Sequence, residues 1–319
     1  MVYCKKQKEV TPMRFEEVFT LVSQVQNEKF HASDNIVLLT FDDNYLHQSI
    51  NLIRSIDVQH PDGVSYICVC PPLKQENIDI LMAVPCGIRL QCYEFTADFR
   101  SGRWSTCAVL RLFCPWLLEE EIHRVVYMDS DILCSGSIQD LFDMDLPCIA
   151  MASEISGNVS RERKETYRKE YPTKVYCNSG VVVFNLDYLR NTHSFEEFFS
   201  ALSAMLGKYQ YLDQDFLNRF FMGRIEYLNP YRFNFQAYEV LGSTMYSKAL
   251  RDCRLIHYSV GKPWNYRTRL KLIDLYLQFS HHEPMIARVK AIRRKRILYS
   301  PIAFGRRLLS PVKQHLQKD

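Results

Sequence analysis

The stretch Val125-Val126-Tyr127-Met128-Asp129-Ser130-Asp131 decides the fold, because an apolar run ends there in two acidic residues. Side chains two residues apart on an extended chain point the same way, so Asp129 and Asp131 can converge on one cation. In open α/β sheets, ligands bind at the carboxyl ends of the strands. Neighbouring carboxylates repel each other, and their hard oxygen atoms suit Mg²⁺ or Mn²⁺. The alternative is a turn that Ser130 helps to open before a helix over 137–143.

Strand and helix patterns alternate on both sides of this stretch. The βαβ order predicts an α/β fold with a parallel sheet covered by helices. We interpret the polar segment 155–174 as a mobile loop or a helical hairpin. Strands are predicted at 35–41, 65–70, 88–93, Arg124–Met128 and 174–185, and helices at 11–30, 74–82 and 193–222.

The overall charge of +4 on 319 residues hides a split. Residues 285–319 carry ten Lys and Arg against one Asp, a net +9, whereas the rest of the chain is mildly acidic at −5. Ile286, Val289 and Ile292 recur every third residue between the basic side chains, a pattern typical of an amphipathic element on an anionic bilayer. The alternative is a solvated helix packed on the domain. A nucleic-acid arm is disfavoured, because no basic face interleaved with aromatic residues accompanies the tail.

The remaining global features indicate a cytoplasmic protein. No apolar stretch follows the charged N-terminus, and no run of about 18 apolar residues occurs that could span a membrane. The eleven cysteines are scattered without a C-x-x-C motif, which favours free thiols in a reducing compartment over a disulfide framework or a zinc site. The sequence also lacks the glycine-rich signatures of dinucleotide enzymes and P-loop NTPases, and the serine elbow of lipase-type hydrolases.

Four further clusters combine polar and aromatic residues with apolar runs. A second strand pattern ends in Asp42-Asp43-Asn44-Tyr45, which could bind a base or ribose or could cap a helix. His257 would supply a neutral nitrogen ligand and Lys262 a point charge for phosphate, although either alone is more often structural. The clusters read Ile36-Val37-Leu38-Leu39-Thr40-Phe41-Asp42-Asp43-Asn44-Tyr45, Tyr176-Cys177-Asn178-Ser179-Gly180, Tyr211-Leu212-Asp213-Gln214-Asp215 and Ile256-His257-Tyr258-Ser259-Val260-Gly261-Lys262-Pro263-Trp264.

Taken together and in this order, the motifs resemble the retaining glycosyltransferases of family 8. This family includes bacterial lipopolysaccharide and lipooligosaccharide galactosyl- and glucosyltransferases, and glycogenin. The resemblance covers roughly residues 34–266, and its specificity comes from the order of D-D-N-Y, Y-M-D-S-D, N-S-G-V-V-V-F-N-L, D-Q-D-x-L-N and H-Y-x(3)-K-P-W. The last motif departs from the usual H-x-x-G-x-x-K-P-W, because Gly261 directly precedes Lys262 and His257 is one residue nearer to Lys262, so the loop around the diphosphate must differ.

The resemblance implies a GT-A fold, a single Rossmann-like nucleotide-binding domain with a mixed, mainly parallel sheet and a basic helical C-terminal tail. We therefore expect a helical extension at 1–33, a glycosyltransferase domain at 34–284 and a membrane-associating tail at 285–319. The implied function is transfer of galactose or glucose from a UDP-hexose to a glycan or lipid-linked saccharide, by a peripheral enzyme on the inner face of the plasma membrane. The alternative is a catalytically weak protein of the same fold that binds sugar nucleotides or membranes.

The resemblance also implies roles for individual residues. The implied cofactor is Mn²⁺, with Mg²⁺ as the alternative, and its protein ligands are Asp129, Asp131 and His257. The implied catalytic residues are Gln214, Asp213 and Asp131, with attack on the leaving-group face favoured because an amide is a poor nucleophile. Contacts to the donor are implied for Thr40, Asp42, Asn44, Tyr45, Arg111, Asp129, Ser130, Asn178, Asp213, Gln214, Gly261 and Lys262.

Overall fold

A computed structural model describes most of the chain, which divides into two compact units. The first comprises Met1–Phe235 and Glu239–His257, and the second Gln236–Tyr238 and Tyr258–Asp319. The residues described are 13–32, 34–61, 63–96, 106–154, 175–206, 211–237, 250–259, 262–264, 270–280 and scattered positions from 282 to 294.

The strands of the described residues belong to the first unit, except for Gln236. They are β1 Phe19–Gln26, β2 Asn35–Leu39, β3 Val64–Cys70, β4 Gly87–Phe95, β5 Arg124–Met128, β6 Ile132–Cys134, β7 Ile149–Ser153, β8 Cys177–Asn185, β9 Ile225–Leu228, β10 Phe235–Gln236 and β11 Leu255–His257. Eight of them form one sheet in the order β1–β4–β3–β2–β5–β8–β7–β9. The pairs β2–β3, β2–β5, β3–β4 and β7–β9 are parallel, whereas β1–β4, β5–β8 and β7–β8 are antiparallel. The predicted mixed, mainly parallel sheet is confirmed.

Helices cover both faces of this sheet. Along β2, Ile36 and Leu38 enter one hydrophobic core while Val37 and Leu39 enter the other, because successive side chains of a strand point to opposite faces. The helices are α1 Phe15–Val18, α2 Leu46–Gln59, α3 Gln75–Met82, α4 Thr106–Leu110, α5 Cys114–Leu117, α6 Gln139–Asp143, α7 Leu186–Thr192, α8 Phe195–Ser203, α9 Leu212–Phe220 and α10 Pro230–Phe233, with α11 Leu270–Phe279 in the second unit. A 3₁₀ turn, Arg111–Phe113, joins α4 to α5.

The helix predicted over 11–30 is wrong for most of that range. Only Phe15–Val18 is helical, and β1 follows at once and pairs antiparallel with β4 from Phe19↔Phe95 onward. The spacing of Phe15, Val18, Phe19 and Val22 fits a helix locally, but the hydrogen bonds that decide the matter come from a strand far along the chain. The helical segment predicted at 193–222 is two helices, α8 and α9, and the segment predicted at 155–174 lies outside the described residues.

Two further expectations concern the cysteines and the membrane. The ten cysteines in the described part of the chain are free and buried, and burial raises the pKa of the Cys177 thiol to about 12. They behave as small apolar groups of the core. Across the described residues, no helix has both the length and the apolar character that crossing a bilayer requires.

The strand order brings four chain segments to one edge of the sheet. Because β2 and β5 are neighbouring and parallel, the residues that follow them, Thr40–Asp42 and Asp129–Asp131, emerge at the same edge. The antiparallel strand β8 begins at that edge, since Val181 lies opposite Met128. The pairing of β11 with β6 places His257 opposite Ile132, next to Asp131.

Candidate active site

Three side chains of the kinds that bind metal ions converge where β5 ends. Asp129, Asp131 and His257 each offer one ligand atom, and these atoms all lie within 4.8 Å of one another. His257 Nε2 is 3.2 Å from Asp131 Oδ1 and 3.7 Å from Asp129 Oδ2. The backbone between the acids also turns, since Ile132 N donates to Asp129 O at 3.1 Å. The backbone turn after Asp129 is therefore present together with the convergence of the two carboxylates. A set of two carboxylates and an imidazole fits a divalent cation.

The imidazole of His257 occupies space that Gly180 leaves open. A Cβ built on Gly180 would overlap His257 Cε1 and would lie 2.6 Å from Nδ1, closer than real Cβ atoms come. Burial lowers the pKa of His257, with Asp129 opposing this shift, so the ring stays in the neutral form that a metal ligand requires. Gly180 follows Asn178 and Ser179 in the N-S-G motif, whose glycine thus has a steric function.

Arg111 links two carboxylates from different elements. Its NH1 donates to Asp129 Oδ1 at 2.7 Å and to Ser179 O at 3.1 Å, and its NH2 donates to Asp213 Oδ2 and to Ser179 Oγ at 3.2 Å. The guanidinium also lies 4.7 Å from the centre of the Tyr127 ring. Burial alone would lower the pKa of Arg111, but the charge of Asp213 and the neighbouring Tyr127 and Asp129 raise it overall. Arg111 is therefore a permanent positive charge inside the site.

The start of β8 and the first turn of α9 form a second polar cluster. Asn178 Nδ2 donates to Gln214 Oε1 at 3.1 Å, and the backbone N–H of Ser179 donates to the same oxygen at 3.1 Å. Ser179 Oγ donates to Asp213 Oδ2 at 3.1 Å. Asn178, Asp213 and Gln214 are all buried. These three residues, for which the family resemblance implies contacts to the donor, therefore lie together, and Arg111 joins Asp213 to Asp129.

The residues that follow β2 approach the same edge. Asn44 donates to Asp42 Oδ1 through its backbone N–H at 3.0 Å and so closes a turn. Burial, Asp42 and Asp129 raise the pKa of the Tyr45 phenol, so this ring lies close enough to both acids to sense their charge. Thr40 is buried, and its hydroxyl donates to Cys107 O at 2.8 Å.

Ser130, Gly261 and Lys262 are the other residues for which the family resemblance implies contacts to the donor. Ser130 is buried, and its hydroxyl lies 2.8 Å from that of Ser49. Gly261 falls outside the described residues, and Lys262 belongs to the second unit. The sequence assignments of the first unit thus come together, whereas those of the H-Y-x(3)-K-P-W motif after His257 stay predictions.

Two polar side chains of the site were missed in the sequence. Asn234 Oδ1 lies 2.8 Å from His257 Nδ1, and Glu154 Oε2 accepts from Gln214 Nε2 at 3.3 Å. Glu154 had a usable signal, because it directly follows the buried strand Ile149–Ser153 just as Asp129 follows β5. Asn234 lies between the short elements α10 and β10, and no periodic pattern in the sequence marks it.

Comparison with known proteins identifies the family and the fold. The model of the family described as Glycosyl transferase family 8 matches residues 36–268, well over half of the chain. Among solved structures, the galactosyltransferase LgtC in complex with donor and acceptor sugar analogues has a TM-score of 0.62 at 20% identity, over 77% of this chain and 95% of that chain. At this identity the likeness shows a shared fold, the GT-A fold.

Two bacterial glycosyltransferases are related in sequence. The lipopolysaccharide 1,2-glucosyltransferase of Escherichia coli is 27% identical over 259 residues, which cover 75% of this chain and 74% of that protein. The lipopolysaccharide 1,3-galactosyltransferase of Salmonella typhimurium is 25% identical over 205 residues, with 61% and 60% covered. The chain is thus similar to enzymes that differ in the hexose named for them.

The contact between Gly180 and His257 gives a direct test of the metal-ligating group. Gly180→Ala should displace the imidazole and weaken Mn²⁺ binding about tenfold or more in isothermal titration, because one of three protein ligands moves away. Gly136→Ala is the matched control, since a Cβ there meets only the flexible end of Arg254. Equal Mn²⁺ affinity in wild type and Gly180→Ala would contradict the assignment of His257 as a ligand.

Proposed function

This chain belongs to glycosyltransferase family 8, and from that premise we propose that it moves galactose or glucose from a UDP-hexose to a saccharide with retention at the anomeric carbon. It is a glycosyltransferase, an enzyme that takes a sugar-nucleotide donor and a saccharide acceptor. The observation that best supports transfer of a hexose from a UDP-sugar is the convergence of Asp129, Asp131 and His257 beside the cluster of Asn178 and Gln214.

The donor would lie across the carboxyl edge of the sheet. Asp42, Asn44 and Tyr45 would contact the uridine portion, with Thr40 and Ser130 supporting these segments from beneath. Asn178 and Asp213 would hold hydroxyls of the hexose, and Gln214 would lie next to the anomeric carbon. Lys262, with Gly261 before it, would act on the diphosphate. In support, burial and the charges of Asp42 and Asp129 raise the pKa of the Tyr45 phenol, so this ring lies close both to a residue proposed for the uridine and to a residue proposed for the cation.

Asp129, Asp131 and His257 would hold the divalent cation, for which we propose Mn²⁺ with Mg²⁺ as the alternative. When bound, such an ion stabilises the negative charge that grows on a UDP leaving group. Arg111 would add a second, permanent positive charge near the sugar and the diphosphate. Because Asp129 and Asp213 both share this guanidinium, its position fixes the spacing of the two acids.

Retention of configuration requires either two inversions or attack from the face that the leaving group vacates. Two inversions need a nucleophile beneath the sugar, and the amide oxygen of Gln214 is a poor one. Asp213 is the stronger nucleophile, but its Oδ2 already accepts hydrogen bonds from Arg111 and Ser179. We therefore favour same-face attack, in which the acceptor oxygen bonds to the anomeric carbon as the bond to the phosphate oxygen breaks, and that phosphate oxygen accepts the proton of the acceptor hydroxyl. Asp131 would hold the cation. Asp213 is the alternative nucleophile.

The acceptor that we propose is a lipid-linked glycan of the lipopolysaccharide type. Two similar enzymes are named for transfer to lipopolysaccharide, one of glucose and one of galactose. The hexose would be selected by the side chains around Asn178 and Asp213. The alternative function, a catalytically weak binding protein of the same fold, predicts donor binding without turnover.

Two substitutions separate this mechanism from its rivals. Asp131→Ala should lower cation-dependent UDP release from UDP-glucose and UDP-galactose by about 10² to 10³-fold, because charge stabilisation of that size is lost. Gln214→Ala should keep measurable activity, because the amide acts as no nucleophile in same-face attack. UDP release is measured by a coupled assay, with Asp79→Ala, an exposed acid on α3, as the control. Full activity in Asp131→Ala together with none in Gln214→Ala would refute the mechanism.

We further propose that residues 285–319 attach the enzyme to the inner face of the plasma membrane, as a tail distinct from the domain at 34–284. The +9 charge of this segment suits anionic lipid, and the reducing compartment indicated by the buried thiols agrees with a cytoplasmic enzyme. Lys290 and Arg294 are exposed, so their charges are accessible to anionic headgroups.

Charge removal in the full-length protein tests this attachment. The double substitution Lys290→Gln with Arg294→Gln should weaken binding to phosphatidylserine vesicles about 30-fold, since each basic residue near such a surface contributes about 1 kcal/mol. The matched control is Lys74→Gln with Arg251→Gln, two exposed basic residues of the first unit. Sedimentation with vesicles measures binding, and an equal loss in both double variants would overturn the assignment. Deleting residues 285–319 should abolish binding and spare UDP release.

A further inference from the structure

Five polar side chains form one continuous chain of hydrogen bonds through the candidate site. It begins at the metal-ligating imidazole and ends at a carboxylate on the far side of the sugar cluster. Four of its members are buried, with Asn234 only 1% and His257 only 2% exposed, so each of their bonds lies in a low-dielectric environment where an unmet partner is costly. The members in order are His257, Asn234, Asn178, Gln214 and Glu154.

Two backbone amides fix the orientation of the side-chain amides in this chain. The N–H of Gly180 donates to Asn178 Oδ1 at 2.9 Å, and the N–H of Ser179 donates to Gln214 Oε1 at 3.1 Å. A backbone N–H can only donate, so the atoms that receive these bonds must be oxygens. The orientations of Asn178 and Gln214 therefore follow from the backbone of the N-S-G motif alone.

The orientation of Asn234 follows from that of Asn178. The atom of Asn234 that lies 2.8 Å from Asn178 Oδ1 must donate, so it is Nδ2. Asn234 Oδ1 is then the atom 2.8 Å from His257 Nδ1, and an amide oxygen can only accept. His257 Nδ1 must therefore carry a proton, which leaves Nε2 as the ring nitrogen that faces Asp129 and Asp131.

The opposite end of the chain agrees with this direction. Gln214 Nε2 donates to Glu154 Oε2 at 3.3 Å, and an ionised carboxylate accepts only. Every bond from His257 to Glu154 thus runs in the same sense, from donor to acceptor. No donor in the series faces another donor, and no acceptor faces another acceptor. The arrangement therefore specifies one tautomer of His257.

We propose that Asn234 is a positioning residue that, through this chain, holds His257 with its proton on Nδ1 and Nε2 ready to bind the divalent cation. This inference rests on the proposed function for the identity of the cation site. Partners of this kind behind a metal-bound histidine change metal affinity by about 10 to 100-fold when they are removed. The same series of hydrogen bonds links the residues proposed for the hexose with those proposed for the metal.

The tautomer is tested first in protein without added metal. Histidine labelled with ¹⁵N reports by NMR which ring nitrogen carries the proton, and the His257→Gln variant identifies the signal of His257. Wild type should show the Nδ1–H form. Asn234→Leu, of similar volume but without polar atoms, should lose that preference. The Nε2–H form in wild type, or an unchanged spectrum in Asn234→Leu, would overturn the proposal.

Metal affinity is tested next by isothermal titration with Mn²⁺ alone. Asn234→Leu should weaken binding 10 to 100-fold. Asn234→Asp should stay within about threefold of wild type, because a protonated carboxyl group at this buried position accepts from Nδ1–H with one oxygen and donates to Asn178 Oδ1 with the other. Asn185→Leu removes an amide whose hydrogen bonds, with Tyr188 N and Leu146 O, are separate from the series that runs from His257 to Glu154. This variant should bind Mn²⁺ like wild type. An equal loss in Asn234→Leu and Asn185→Leu, or no rescue by Asp, would reduce Asn234 to a structural residue.

The two experiments separate the failure of this inference from that of the proposed function. A wild-type protein that binds no Mn²⁺ or Mg²⁺ would contradict the proposed function, while the NMR spectrum would still decide the tautomer. Equal Mn²⁺ affinity in wild type and Asn234→Leu would leave the proposed function in place and overturn the inference.

Discussion

Repulsion among carboxylates at one edge of the sheet is the constraint on which the rest of the site depends. Asp129, Asp131 and Asp213 come together there, and like charges at such distances destabilise each other unless positive charge lies between them. The buried guanidinium of Arg111 supplies one such charge and joins Asp129 to Asp213. Burial lowers the pKa of His257, which favours the neutral ring and so adds no positive charge. The arrangement of two carboxylates and an imidazole therefore fits a divalent cation.

The part of this arrangement that follows from local sequence was predictable. A strand that ends in Asp129-Ser130-Asp131 directs both carboxylates to the carboxyl edge of a parallel sheet, and β2 ends at the same edge for the same reason. The order of the motifs was enough to identify the family, which the family model confirms over residues 36–268. The GT-A fold was likewise predictable, because the alternation of strands and helices and the family resemblance both lead to it.

The parts that were not predictable depend on contacts between distant segments. The strand Phe19–Gln26 has a local spacing that fits a helix, and only its pairing with β4 makes it a strand. Gly180 is required because the ring of His257, far along the chain, fills the space where a Cβ would be. Asn234 gains its importance from the hydrogen bonds that reach it from two other elements. Each of these facts exists only once the chain is folded.

The most direct test of the central claim, that this edge of the sheet binds a UDP-hexose together with a divalent cation, is hydrolysis of a panel of UDP-sugars without acceptor. UDP-glucose or UDP-galactose should be hydrolysed faster than UDP-sugars with other substituents, Mn²⁺ or Mg²⁺ should be required, and chelation with EDTA should stop the reaction reversibly. Hydrolysis of no UDP-sugar, or an unchanged rate after the metal has been removed, would contradict it.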